Sequence, residues 1–342
     1  MGALPLALFV AAMIWYVCAR ALAASAASGL TYRFFELSDF QPLIDALCLV
    51  FLVVGGFAAL RSIERRQGPL RDVLGLPARA TARGEWGMGA ALGWGLALVS
   101  AAPLALAGRL DVEFWISPRA FELMGISLAT LAVATLAHAI AIFGYPFQRL
   151  IEATGPVRAT LVLLGIESIR SGLVPAMTGT ADGARLMVAL LVTVLLSLCW
   201  FRTHGLWLLW GLDFAWMAAT GVLFGLPVGG DNSFGSVVDT RTAGPAWLTG
   251  GSFGPLGAAL SIMAVLAAIP VLMRLTGDYA WEYTRRPIIA AGYDVTIAPP
   301  AAHAALEQER TADAAGLVQI LPAGPPAGAG PNGPPEQGPV EG

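Results

Sequence analysis

Long apolar runs alternate with short polar breaks along most of this chain. Eight runs reach or approach the roughly 20 residues that a helix rising about 1.5 Å per residue needs to cross a bilayer. Their limits are 3–24, 42–60, 86–107, 123–143, 159–176, 186–201, 205–225 and 253–275. Glu167 and Arg170 interrupt the fifth. The first lacks a basic start and is too apolar for too long to be a cleaved signal peptide, so it is expected to remain as a span. The pattern predicts an all-α, polytopic integral membrane protein with about eight transmembrane helices, in a domain covering 1–275.

The polar breaks predict an orientation. Arg61, Arg65, Arg66, Arg71, Arg79 and Arg83 make the largest basic cluster, between the second and third runs. Basic loops stay on the cytoplasmic side, so this loop is expected inside. Alternation then places Arg149, Arg158, Arg202, Arg285 and Arg286 inside too. The opposite breaks hold Asp111, Glu113, Asp182, Asp231 and Asp239, and Arg33 there is offset by Glu36 and Asp39. Both termini are therefore expected in the cytoplasm, and the membrane is expected to be a bacterial inner membrane. Trp15, Trp86, Trp115, Trp200, Trp207 and Trp247 sit near run ends, as an interfacial belt would place them. Trp210 and Trp216 lie deeper and read as packing residues.

Composition supports the membrane assignment. Hydrophobic residues make up 56% and charged residues 13%, with mean hydropathy +0.69, too little charge to cover a soluble surface. The net charge of −3 gives no reason to expect a nucleic-acid partner. Cys18, Cys48 and Cys199 lie in or beside apolar runs with no metal or disulfide spacing. The segment 276–342 is different: rich in Pro, Gly and Ala, it reads as a cytoplasmic tail, either disordered or ordered by a partner. GLVQIL at 316–321 is its one apolar cluster, and His303 reads as a solvated tail residue.

Three stretches carry a family resemblance. GLWLLWGLDFAWMAATGVLFGLPVGG (205–230), WLTGGSFGPLG (247–257) and FGYPFQRLIEATGPVRATLVLLGIESIRSG (143–172) resemble the motif segments of the CAAX-protease and bacteriocin-processing (CPBP) intramembrane glutamic proteases. LRDVLGLP at 70–77 resembles the cytoplasmic lead-in of that family. The resemblance covers about 40–275 and implies a CPBP-like core.

The same resemblance shows what is replaced. Such a protease needs a carboxylate to activate water, a histidine, and donors for the oxyanion. The two glutamates of the first motif fall on Phe143 and Gly144, and its arginine on Gln148. The histidine of the second falls near Arg170 or Ser171. In the third, Asp213 stands for histidine and Met217 for asparagine. The expectation is therefore no catalytic residues at the family positions, no metal and no cofactor.

Glu167, Arg170 and Asp213 are charges inside apolar runs, each costing roughly 2.5–3.5 kcal/mol at a helix centre unless paired. Glu167 and Arg170 are three apart, on one helix face. Because the family's second and third motifs face each other, Arg170 is expected to bridge Asp213. The three residues form a buried ion pair, a polar-ligand or lipid-headgroup site, or a rebuilt catalytic set with His138. His138 and His204 otherwise read as a packed and an interfacial residue. Gly89 and Gly93 form a Gly-x-x-x-Gly pair suited to close helix contact within the subunit or with a partner.

The expected function is that of a catalytically silent pseudoprotease, an accessory or scaffolding subunit bound to another integral membrane protein. The alternatives are an active endopeptidase using shifted residues and a protein binding lipid or a small ligand in the former cavity.

Overall fold

The computed structural model describes residues 3–64, 69–177, 183–229 and 234–277. The tail from 278 onward, with His303 and GLVQIL, lies outside the described residues, as do Arg65, Arg66, Asp182 and Asp231. The chain runs through α1 (Ala3–Arg33), α2 (Gln41–Glu64), a short α3 (Leu70–Val73), α4 (Ala82–Leu106), strand β1 (Leu110–Phe114), α5 (Pro118–His138) and α6 (Tyr145–Thr154). It continues through α7 (Pro156–Ser168), α8 (Val174–Met177), α9 (Gly183–Thr203), α10 (Trp207–Ala218), strand β2 (Val238–Thr242), α11 (Ala246–Thr249) and α12 (Ala259–Leu275). Three π turns, Ala139–Phe143, Ile169–Leu173 and Ala219–Leu223, extend α5, α7 and α10.

Five helical stretches are long and apolar enough to cross a membrane: Ala3–Arg33, Phe35–Glu64, Ala82–Leu106, Pro118–Thr154 and Gly183–Thr203. Trp207–Leu223 and Ala259–Leu275 are apolar but shorter. Large apolar side chains such as Val17, Phe51, Leu161 and Met263 point outward, as a lipid-facing surface requires. The molecule is a mostly helical membrane protein.

At its centre α10 is buried on nearly every side, including Leu208, Leu209, Leu212, Asp213 and Trp216. Its closest neighbour is α4, and glycines make that closeness possible. A Cβ on Gly89 would lie 2.9 Å from the Leu212 nitrogen and nearer still to the Leu208 carbonyl. One on Gly93 would lie 2.8 Å from the Trp216 nitrogen, and one on Gly211 would press on the Trp86 carbonyl. The two backbones touch with no side chain between them, which maximises dispersion contact where no hydrophobic drive exists. The Gly-x-x-x-Gly pair thus serves a contact within the subunit.

Polar contacts gather at the two ends of the bundle. At one end, the loop before α4 grips the turn between α9 and α10. Leu206 N–H donates to the Gly75 carbonyl at 2.8 Å, and Trp207 Nε1 to the Pro77 carbonyl at 2.9 Å. Arg79 donates to the Thr203 carbonyl at 2.7 Å and pairs with buried Glu85 at 3.3 Å. Thr81 also donates to Glu85, at 2.8 Å. At the same end Arg202 covers the end of α12 through the Met273 and Thr276 carbonyls.

At the opposite end β1 and β2 pair antiparallel, with Leu110 opposite Thr242 and Phe114 opposite Val238. The mostly helical fold carries this short ribbon beside its helices. Leu-Asp-Val-Glu-Phe alternates apolar and polar residues with the period of a strand. Its acidic residues had read as a polar break. The ribbon roofs an apolar cavity of about 400 Å³ bordered by Leu98, Ala105, Val112, Phe114, Phe224 and Val238.

Alanine at Gly89 or Gly93 is expected to destabilise the protein by about 1–3 kcal/mol through overpacking. Alanine at Gly87 or Gly95, where an added Cβ meets nothing, is expected to be neutral or to stabilise slightly, by up to about 1 kcal/mol. Thermal denaturation in detergent, followed by size-exclusion chromatography, separates the two pairs.

Candidate functional site

The residues at the resembled motif positions lie where α5 turns into α6. Phe143 ends a π turn and is almost fully buried, edge-on to Phe147 with ring centres 5.7 Å apart. Gly144 follows with φ −77° and ψ −121°. A Cβ there would fall 2.5 Å from the Ile140 carbonyl oxygen and 2.6 Å from that of Leu74. That position therefore has no room for a side chain of any kind. Pro146 enters the first turn of α6, where its missing N–H costs nothing. Gln148 donates to the Val73 carbonyl at 3.3 Å.

Arg149, the neighbour of Gln148, is the charge that this corner is built around. It is 1% exposed, and its Nη1 contacts Glu64 Oε1 at 2.5 Å and Glu152 Oε2 at 2.7 Å. Its guanidinium also sits over the Tyr145 ring, 5.4 Å from the centroid. The pair ties the end of α2 to α6. Sequence reasoning did not find it, because Glu64 stands 85 residues away in an apparently solvated basic loop.

Asp213 lies on α10 and is 5% exposed. Its Oδ2 faces His138 Nδ1 at 3.6 Å. That is longer than a hydrogen bond, so the two groups are neighbours rather than a bonded pair. His138 is the last residue of α5 before its π turn, and its ring meets Phe143 edge-on at 6.3 Å. Trp210, one turn before Asp213, donates from Nε1 to the Ala132 carbonyl at 3.0 Å and so fixes α10 against α5. Met217 is half-buried and packs among the core side chains.

The expected bridge from Arg170 to Asp213 is not formed. Arg170 is 67% exposed and turns back on its own helix, reaching Glu167 with Nε at 2.9 Å and Nη2 at 2.7 Å. Ser171 donates to the same carboxylate at 2.5 Å. A partner three residues away on one helix needs no long-range alignment, so the local fork prevails. The structure keeps Glu167 with Arg170, outside the core, and gives Asp213 to His138.

A carboxylate beside an imidazole can hold one tautomer and orientation of the ring. Hydrolysis needs more: a water or nucleophile held against the base, and donors aimed at the oxyanion. Ser127, Thr130 and Thr135, the buried hydroxyls of α5, are turned to other work. Thr130 and Thr135 donate to carbonyls of their own helix, and Ser127 accepts from Gly235 N–H. Among the described residues, no three His, Cys, Asp or Glu side chains gather into a group that could hold a metal ion. The cavities of about 400 and 370 Å³ border neither His138 nor Asp213. No family model, no curated protein and no solved structure matches this chain.

Removing the Arg149 side chain takes a buried cation away from Glu64 and Glu152, so Arg149→Met is expected to cost about 3 kcal/mol. Arg170→Met loses only an exposed pair and is expected to cost under about 1 kcal/mol. Comparing the melting temperatures of the two variants in one detergent checks this order.

Proposed function

We propose that this protein is a catalytically silent, CPBP-like membrane subunit that works by binding another integral membrane protein. The observation that carries the reading is the closed ground at 143 and 144. Where the resemblance would put two glutamates, one residue is a sealed phenylalanine and the other a glycine walled in by two carbonyls. A lost catalytic residue leaves a hole or a neutral substitute. Here backbone carbonyls occupy the space that a side chain at 144 would need.

The proposed topology is eight crossings with both termini in the cytoplasm of a bacterium and the protein in its inner membrane. The loop contacts support it. Breaks expected inside meet one another: the Gly75–Arg79 loop meets Thr203–Trp207, and Glu64 meets Arg149. Breaks expected outside do the same, through β1 with β2 and through Arg119 with Asp39. The arginine-rich side is assigned to the cytoplasm from loop charge alone.

A second reading keeps activity. The His138–Asp213 proximity favours it, since acid and imidazole could have exchanged helices relative to the resembled family. Prenylated CAAX-type peptides and unmodified transmembrane peptides, incubated with the purified full chain in nanodiscs, distinguish the two. The binding-subunit reading expects no cleavage above that of empty nanodiscs. It also expects a stoichiometric membrane partner that survives size exclusion from native membranes. Cleavage that disappears in Asp213→Asn, with the fold intact, overturns the silent reading.

A further inference from the structure

Arg20 lies on α1 four residues before the end of the first apolar run, roughly 6 Å from it at about 1.5 Å per residue. That is within the reach of its side chain, so the guanidinium sits at the level of lipid headgroups. Its neighbours on the same face, Val17, Ala21 and Ala24, are exposed, so this face looks outward rather than onto another helix. The residues around it are apolar, so a guanidinium at this edge of the span gains from an anionic partner.

A groove of about 370 Å³ runs between α1 and α2 at this level. Val17, Arg20, Ala21, Ala24, Asp45 and Leu49 line it. Asp45 supplies the opposite charge, one turn into α2, yet the two do not pair. Among the described residues neither Arg20 nor Asp45 has an ion-pair partner. One groove therefore presents a separated cation and anion to the lipid, with small alanines leaving space between and apolar walls beside them.

We propose that this groove holds the headgroup of an aminophospholipid, its phosphate on Arg20 and its primary ammonium on Asp45. A guanidinium matches phosphate oxygens with two parallel donors. A primary ammonium donates to a carboxylate, which a quaternary choline cannot do and a glycerol headgroup does without charge. Val17 and Leu49 lie where an acyl chain would leave the headgroup. The proposal stands apart from the silent-subunit reading, since it uses α1 and α2 and no residue of the resembled motifs.

The test uses the full chain in nanodiscs made from equal parts of phosphatidylethanolamine and phosphatidylglycerol with identical acyl chains. Native mass spectrometry then counts the lipids that stay bound. The wild type is expected to retain phosphatidylethanolamine over phosphatidylglycerol by about tenfold, the size of one charge-assisted hydrogen bond. Arg20→Leu is expected to lower total retained phospholipid by about the same factor. Asp45→Asn, nearly isosteric, is expected to keep phospholipid and lose the preference. Arg170→Leu, which alters an exposed arginine elsewhere, is expected to change neither. Equal retention of the two lipids by the wild type, unchanged preference in Asp45→Asn, or a bound protein rather than a lipid lost from Arg20→Leu would overturn the assignment.

Discussion

The contact of α4 with α10 along Gly89, Gly93 and Gly211 sets the arrangement of everything else. Side chains normally keep helix axes 8–10 Å apart. Deleting them at three positions lets two backbones meet, and the contact then tolerates no change of register. The grip at one end fixes the same two helices. Arg79 reaches from the loop before α4 to the carbonyl of Thr203, just before α10, and Glu85 on α4 holds its guanidinium. Gly205 leaves the room that this guanidinium occupies, since a Cβ there would collide with Arg79 Nη2. His204 beside it adopts φ 51°, a left-handed conformation that a non-glycine residue adopts only where its surroundings require it.

Around that rigid pair the polar groups are sorted by depth. Arg79 with Glu85 and Arg149 with Glu64 and Glu152 sit at one end of the bundle. Buried ion pairs of this sort add little net stability compared with apolar packing of the same volume. They do penalise wrong arrangements, because any other docking of the loops would strand a charge. Asp213 is the exception, held in the helical core with His138 alone.

Much of the helical layout was legible in the sequence, because apolar run length reads it directly. Helices occur at each of the eight runs, although only five stretches meet the length and hydropathy of a span. The glycine spacing on α4 was legible as a close contact, whereas its partner Gly211 was not, since a single glycine carries no spacing. The buried arginines were not legible at all. Arg79 and Arg149 sit in segments whose composition matches solvated loops, and only the fold brings carboxylates to them. The misassigned partner of Asp213 has a specific cause. Arg170 stands opposite it only by analogy of motifs, while His138 reads as a packed residue. His138 meets Asp213 across the fold, from α5 to α10, a contact that spacing along the chain does not display; it sits immediately before a π turn.

The π turns extend beyond that one error. A π turn accommodates one residue more than the α-helical turn it replaces, the form a single-residue insertion takes when the helix around it must stay intact. Three of them occur: Ala139–Phe143 and Ile169–Leu173 at the two ends of the resembled stretch 143–172, and Ala219–Leu223 within 205–230. Each insertion rotates everything beyond it by about 100° about the helix axis. Spacing along the chain and spacing around the helix therefore diverge at each of these points. A lineage could exchange which side chains face the interior by gaining or losing one residue, with no substitution at the facing positions themselves.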